Sequence, residues 1–308
     1  MMIAPSAFAL PRPLRRPAIA IGNFDGVHRG HQALVSVALA AVKGEQRDAV
    51  ALTFDPHPSS VVQPGAAPSL LMPLPRRLEL LAELGLDATV VHPFDAAFSR
   101  LTAEEFARDV LAGALEASVV VVGSDFRFGA GRRGDPALLA ALGATLGFEV
   151  RVVDKISVDG EVCSSSAIRE HVRQGRVARA AQLLSRPFEV TGQVVAGQRR
   201  GRQLGFPTAN LDQAPRLLPA EGVYAGRATL ADGRSFVAAI NVGRNPTFVE
   251  RGARIVEAYL LDFEGDLYGQ SLRLDFVERL RAELRFDSVD ALVAQMHQDV
   301  AQTRSRVT

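Results

Sequence analysis

Two histidines three residues apart, His28 and His31, stand in a glycine-rich stretch, Gly22-Asn23-Phe24-Asp25-Gly26-Val27-His28-Arg29-Gly30-His31. Paired imidazoles can grip a polyphosphate and stabilise the charge that grows on a phosphorus under attack. An apolar run, Ala18-Ile19-Ala20-Ile21, precedes the stretch and a helix-like segment, residues 32–42, follows it, so it reads as strand, turn and helix. The glycines let the backbone approach a ligand closely, and the helix start presents unpaired N–H groups at the positive end of its dipole. The combination is an anion site, most simply for phosphate. Its spacing is neither that of the P-loop nor that of the dinucleotide-binding glycine fingerprint.

Other clusters carry polar chemistry. Asp55-Pro56-His57-Pro58 and Gly123-Ser124-Asp125-Phe126-Arg127-Phe128-Gly129 each follow a strand-like run. Cys163-Ser164-Ser165-Ser166-Ala167-Ile168-Arg169 puts hydroxyls at a helix start with an arginine one turn in. Serine is a favoured helix cap, and three serines with Arg169 also suit phosphate. Residues 197–210 combine Gly197, Gly201 and Gly205 with Arg199, Arg200 and Arg202 before Phe206-Pro207-Thr208-Ala209-Asn210. Such a loop suits phosphates, and Thr208 and Asn210 offer the oxygen donors that a magnesium ion accepts. A solvated loop or a nucleic-acid contact would use the same arginines.

These clusters need elements to hold them. Strand-like runs at residues 18–21, 48–54, 88–91, 118–122 and 149–153 alternate with helical segments. The helices are residues 32–42 and 75–84, one from a Thr102/Glu105 capping box to Leu111, and one from Asp135-Pro136 to Gly147. That alternation predicts an α/β domain, a parallel sheet covered on both faces, with ligands beyond the carboxyl ends of the strands. The clusters at 22–31, 55–58 and 123–129 all fall at those ends. Past Ser185-Arg186-Pro187 the period shortens to strand-like runs at 188–195, 222–230, 235–242, 255–263 and 271–276, separated by glycine turns. This spacing predicts a compact antiparallel sheet or barrel. Asp287-Ser288 caps a closing helix, residues 289–300, whose apolar positions Val289, Leu292, Val293, Met296 and Val300 are expected to pack on it. Two domains are expected, residues 1–185 and 186–308.

Bulk properties exclude several classes. A net charge of +1, from 35 basic and 34 acidic residues in 308, leaves no electrostatic footprint for nucleic acid or an anionic membrane. The single cysteine, Cys163, rules out an intrachain disulfide and fits a reducing compartment. No run approaches the roughly 18 apolar residues of a membrane span. The apolar residues 1–10 have their arginines after them, the wrong order for a secretory signal. A cytoplasmic protein without nucleic-acid or membrane partners is expected.

His28-Arg29-Gly30-His31 resembles the His-x-Gly-His signature of nucleotidylyltransferases. With Thr53-Phe54-Asp55-Pro56-His57-Pro58 and the 123–129 loop, it resembles the first half of bacterial bifunctional riboflavin kinase and FAD synthetases. The second half resembles that family's riboflavin kinase module in Gly205-Phe206-Pro207-Thr208-Ala209-Asn210, Gly222-Val223-Tyr224, Asn241-Val242-Gly243 with Pro246-Thr247-Phe248, and Val256-Glu257 leading to Leu267-Tyr268-Gly269. The resemblance runs in order from Ala18 to the final helix. It implies a Rossmann-like nucleotidylyltransferase domain followed by an antiparallel β-barrel with a closing helix.

It also implies two reactions with ATP, phosphorylation of riboflavin to FMN and adenylylation of FMN to FAD with release of pyrophosphate. In the first half, the resemblance assigns His28 and His31 to the triphosphate and its transition state. Gly22, Asn23, Phe24, Asp25, Asp125, Arg127, Ser164, Ser165, Ser166 and Arg169 would line the nucleotide, and Phe54 to Pro58 with Phe126 and Phe128 would line the flavin. In the second half, Glu257 would be the base on the ribityl hydroxyl; read alone, it is an exposed carboxylate on a strand. Gly197, Gly201, Arg202, Gly205 to Thr208, Asn210 and Asn241 would bind the nucleotide, with Mg2+ on Thr208 and Asn210. Val162 stands where many members carry an arginine, which removes a possible charge-assisted contact with the triphosphate. Tyr259 stands where a histidine is frequent. A kinase with a weakened or redirected transferase is the alternative reading, and a flavin-binding regulator using residues 199–202 is a third.

Overall fold

A computed structural model describes residues 1–197, 204–212, 217–244 and 254–307. The chain divides into two compact units, Met1–Ser164 and Ser165–Thr308. In the first, β1 (Met2–Ala4), β2 (Ala18–Ile21), β3 (Ala49–Asp55), β4 (Ala88–Pro93), β5 (Val119–Gly123) and β6 (Glu149–Val153) form one sheet in the order β1-β4-β3-β2-β5-β6. Every pairing in it is parallel. Helices α1 (Arg29–Val42), α2 (Pro58–Val62), α3 (Leu74–Glu83), α4 (Ala103–Glu105) and α5 (Pro136–Leu146) lie between strands.

The two-residue period of the strands separates two cores. Ala18, Ala20, Ala49, Ala51, Val119 and Val121 face Leu34, Val35 and Ala38 of α1 and Leu80 and Leu81 of α3. Ile19, Ile21, Val50, Leu52, Phe54, Val120 and Val122 face Phe106, Val110, Leu111 and Leu139. The expected two-sided parallel sheet is present. It has one more strand than the sequence reading contained, because β1 is too short to show a period. The Thr102/Glu105 capping box forms, but the helix it starts passes at Phe106 into a π-helical segment, Phe106–Ala114, past the expected end at Leu111. Asp48, just ahead of β3, is buried and bonded to Arg12 and Arg15 at 2.9 and 2.7 Å. Burial pushes its carboxyl up, yet the two guanidiniums carry it down to about 2.

Strand order reverses at β2, whose neighbours are β3 and β5. The turn that follows β2 and the loop that follows β5 therefore flank the crevice where open α/β sheets bind ligands. A short hairpin, β7 (Ser157–Val158) with β8 (Glu161–Val162), ends this unit.

The second unit holds α6 (Ser165–Arg173), α7 (Val177–Leu184), β9 (Phe188–Val195), β10 (Ala209–Leu211), β11 (Gly222–Leu230), β12 (Ser235–Arg244), β13 (Arg254–Leu260), β14 (Ser271–Arg281) and α8 (Val289–Arg306). The strands close an antiparallel barrel, β10-β13-β12-β11-β14-β9. β10 lies inside what reads as a loop in the sequence, and its three residues complete the ring between β9 and β13. The contact boundary at Ser164 precedes the expected one at 185 because α7 packs on β9 and β14.

Ser288 caps α8 through Ala291 N–H. The closing helix packs on the barrel as expected, against β11, β12 and β14, but its apolar stripe is shallow. Val289 is exposed, Leu292, Val293, Met296 and Val300 are only half-buried, and the deeply buried positions are Asp299 and Thr303. Asp299 accepts a two-point ion pair from Arg281 of β14, with Nη2–Oδ2 at 2.6 Å and Nε–Oδ1 at 2.9 Å, so the helix is fixed by a polar clamp.

Candidate active sites

The turn after β2 is held from inside. Gly22 N–H donates to Leu52 carbonyl oxygen at 3.1 Å, and Thr53 Oγ1 donates to Asn23 carbonyl oxygen at 3.1 Å, which moors the turn to β3. Phe24 and Val27 hold positive φ, 50° and 41°, on either side of Gly26 at 91°. A β-branched residue in that region is strained, and strain of this kind persists only where surrounding structure enforces it. Buried Phe24 and Asp25 supply part of that enforcement. Asp25 carboxylate oxygens accept Leu71 N–H at 2.9 and 3.2 Å, tying the turn to the chain ahead of α3. Both residues are expected among the nucleotide contacts, but their side chains lie in the interior, under the turn.

His28 and His31 stack with ring centroids 3.7 Å apart and planes at 21°. Phe24 lies 5.2 Å from His31. A Cβ at Gly30 would stand 3.1 Å from the His28 ring, so glycine is what lets that imidazole pack over the helix start. Burial, then His28 and Arg77, hold His31 well below the usual imidazole range. At neutral pH His31 is therefore an uncharged hydrogen-bonding ring. Its Nδ1 is buried and finds no hydrogen-bond partner among the described residues.

Neighbouring loops meet this turn at the same sheet edge. Asn23 Nδ2 lies 3.1 Å from His57 Nε2, which joins the 22–31 and 55–58 clusters, while His57 Nδ1 accepts Ser59 N–H at the start of α2. Asp55 and Pro56 are exposed and Pro58 half-buried beside them. Phe54 belongs to the core, with its ring 5.7 Å from that of Phe94. In the loop after β5, Phe126 stacks on Phe128 at 5.4 Å and 13°, and Phe128 is locked by paired backbone bonds to Gly134. Asp125 is exposed and pairs with Lys155 at 3.2 Å; Arg127 is exposed. The Cys163 carbonyl comes within 3.5 Å of where a Gly30 Cβ would be, so the chain just ahead of the serines runs past the start of α1. Ser164 and Ser165 are half-buried, Ser166 exposed, and Arg169 buried in α6. Val162, on β8, is exposed.

The barrel builds its candidate site differently. Register places Asn210 of β10 opposite Glu257 of β13, and Glu257 opposite Asn241 of β12. Directly paired residues share a face, so two carboxamides flank one carboxylate on the side opposite buried Val256, Ala258 and Leu260. Burial raises the Glu257 carboxyl above its ordinary value, so it is a stronger base than an exposed glutamate. There is no room for a side chain at Gly197, where the Asn210 amide lies against the backbone. Gly205 turns at φ 85°, Phe206 is buried against Tyr259 and His297, Pro207 is exposed and Thr208 half-buried. Gly201 and Arg202, with Arg199, Arg200 and 246–248, lie outside the described residues. Among the described residues no group of three or more His, Cys, Asp and Glu is placed to hold a metal ion, and no helix is long and apolar enough to cross a membrane. The hydroxyl and carboxamide oxygens of Thr208 and Asn210 are hard donors that suit a divalent cation shared with phosphates.

Two groups at these sites escaped sequence reading. Arg77 on α3 acts electrostatically on His31. Glu283 reaches Gly243 of β12, and burial, then Glu221, raise its carboxyl. Neither sits in a distinctive motif; only tertiary proximity reveals them.

Comparison with known proteins agrees with this division. A family model described as FAD synthetase matches residues 11–167, and one described as riboflavin kinase matches residues 184–307. The chain is 37% identical over 281 residues to the bifunctional riboflavin kinase/FMN adenylyltransferase of Escherichia coli K12, covering 91% of this chain and 90% of that one. It is 38% identical over 291 residues to the protein of the same description from Listeria monocytogenes, covering 93% and 91%. A crystal structure from Streptococcus pneumoniae described as a macrolide-efflux protein superposes with a TM-score of 0.86 at 30% identity, over 99% of both chains.

Proposed function

The chain belongs to the bifunctional riboflavin kinase/FMN adenylyltransferase family, and from that premise we propose how its own residues divide the two reactions. It is an ATP-dependent transferase that converts riboflavin to FMN and FMN to FAD. Matches to both halves do not favour the alternative of a kinase with a redirected transferase. The modules divide at residue 185.

In the kinase module, Glu257 accepts the proton of riboflavin's terminal ribityl hydroxyl while that oxygen attacks the γ-phosphorus of ATP and ADP leaves. Asn210 and Asn241 orient the carboxylate and the phosphates, with Gly197, Gly201, Arg202 and Gly205 to Thr208 around the nucleotide. Enzymes of this type generally need a divalent cation; Mg2+ on Thr208 and Asn210 would neutralise phosphate charge, which phosphoryl transfer requires more than covalent help.

In the transferase module, an FMN phosphate oxygen attacks the α-phosphorus of ATP and pyrophosphate leaves. That nucleophile is already ionised, so the protein's work is positioning and charge stabilisation. His28 and His31 hydrogen-bond the phosphate oxygens at the start of α1. Gly22, Asn23, Asp125, Arg127, Ser164 to Ser166 and Arg169 serve the nucleotide, with Asp55 to Pro58 and Phe126 toward the flavin. Phe24, Asp25, Phe54 and Phe128 shape these loops from the core. The single cysteine fits a reducing compartment, which supports a cytoplasmic setting.

The stacked histidine pair at the switch point of the sheet carries the transferase assignment. A chromatographic time course with riboflavin, ATP and magnesium, following FMN and FAD separately, tests the whole reading. FMN appears first and FAD after it; FMN accumulating without FAD would remove the transferase assignment, and no conversion would remove both.

A further inference from the structure

Arg77, the fourth residue of α3, is the largest fully buried side chain among the described residues, 1% exposed. Its Nε and Nη1 are shielded from solvent and find no hydrogen-bond partner among the described residues. Leaving donors of a buried cation unmade costs stability, about 1–3 kcal/mol for each neutral group and more for a charged one. A leucine would fill the same apolar face of α3, beside Leu80 and Leu81, without that cost. What surrounds the guanidinium gives it a use. It interacts electrostatically with the Asp25 and Asp55 carboxylates, which favour its charge, and with His31, which it disfavours as a cation.

The placement follows from the fold. Asp25 takes the Leu71 N–H, so the histidine turn is tied to the chain that enters α3, the helix that carries Arg77. Asp55 ends β3, the strand next to β2. The charged and titratable groups around His31 are then His28 on its own turn, Arg77 from α3 with Asp25 and Asp55 facing that arginine, and His57 bonded to Asn23.

We propose that Arg77 is a positioning residue of the adenylyl-transfer site, a buried fixed cation that braces the acidic side of the histidine turn. It rests on the assignment of His31 to that reaction. An arginine serves this purpose because it stays charged at every working pH. The stacked imidazoles then meet the incoming triphosphate in a defined protonation state.

The test is histidine-selective 15N NMR of the full chain, with the His31 signal assigned from His31→Gln and titrated in the parent, Arg77→Met, Arg77→Lys and Arg77→Gln. The pH profile of kcat/KM for FAD formation from FMN is recorded beside it. Arg77→Met should raise the His31 midpoint and the acid limb of the profile together. Arg77→Lys should return both towards the parent. Arg77→Gln, which keeps a polar side chain in the same space without the charge, should move both the same way as Arg77→Met and decides the matter if that variant does not fold. A midpoint unmoved in the folded variants, or one that moves while the acid limb stays, would leave Arg77 a structural residue only. Full FAD formation by His31→Gln would instead sink the assignment of His31 and leave the NMR coupling standing.

Discussion

The two candidate sites are fixed by different means. In the α/β unit the chemistry sits on turns beyond the strand ends, and each turn has to be moored. Phe24 packs beneath the histidines, Asp25 binds the Leu71 amide, Thr53 holds Asn23, and Val27 is kept at a positive φ. In the barrel the candidate residues lie on the strands themselves. The backbone ladder that pairs β10, β13 and β12 sets Asn210, Glu257 and Asn241 side by side without any further device. Burial acts on both sites in one direction, against charge, with opposite consequences for pKa. It lowers His31 and leaves a neutral donor; it raises Glu257 and leaves a stronger base.

If the sites are separate, the largest effects should cross. Glu257→Gln should cut FMN formation from riboflavin by roughly 10²–10⁴-fold and leave FMN conversion to FAD unchanged, in assays of the two half-reactions. His28→Ala with His31→Ala should do the reverse, with a loss on the order of 10²–10³-fold in FAD formation. A double mutant that folds but loses kinase activity would break the comparison.

The pH profiles sharpen it. If Glu257 is the base it works as the carboxylate, and its raised pKa means that form is lost as pH falls through a value above the ordinary 4.5. FMN formation should therefore decline on the acid side at higher pH than an exposed glutamate would give. FAD formation should hold until pH falls below the ordinary imidazole value of 6.5, because His31 stays neutral to lower pH. One acid limb common to both half-reactions would count against independent sites.

Smaller effects probe how the turn is moored. Gly30→Ala places a methyl 3.1 Å from the His28 ring. Tilting that ring should lower kcat for FAD formation about tenfold, with FMN formation as the internal control. Val162→Arg should lower the KM for ATP in FAD formation by a few-fold, about what one exposed charge-assisted contact adds. No change in KM would show that the position does not reach the triphosphate.

Much of this protein was legible before its structure. Alternating apolar runs with helical segments announce a two-sided parallel sheet because burial on both faces of a strand imposes continuous apolarity. The Thr102/Glu105 box and the Ser288 cap are local, and both form. The glycine and histidine spacing of residues 22–31 proposes a phosphate site from sequence alone, since all of its candidate chemistry lies within ten neighbouring residues. Tertiary structure decided the rest. β1 and β10 are three residues each, too short for a period to register, and exist because β4, β9 and β13 offer edges to pair with. Arg77 looks in sequence like any charged residue on a helix, and only packing shows it buried behind the histidine turn. Asn210, Glu257 and Asn241 are scattered through the barrel sequence; strand register, which no local signal carries, makes them neighbours.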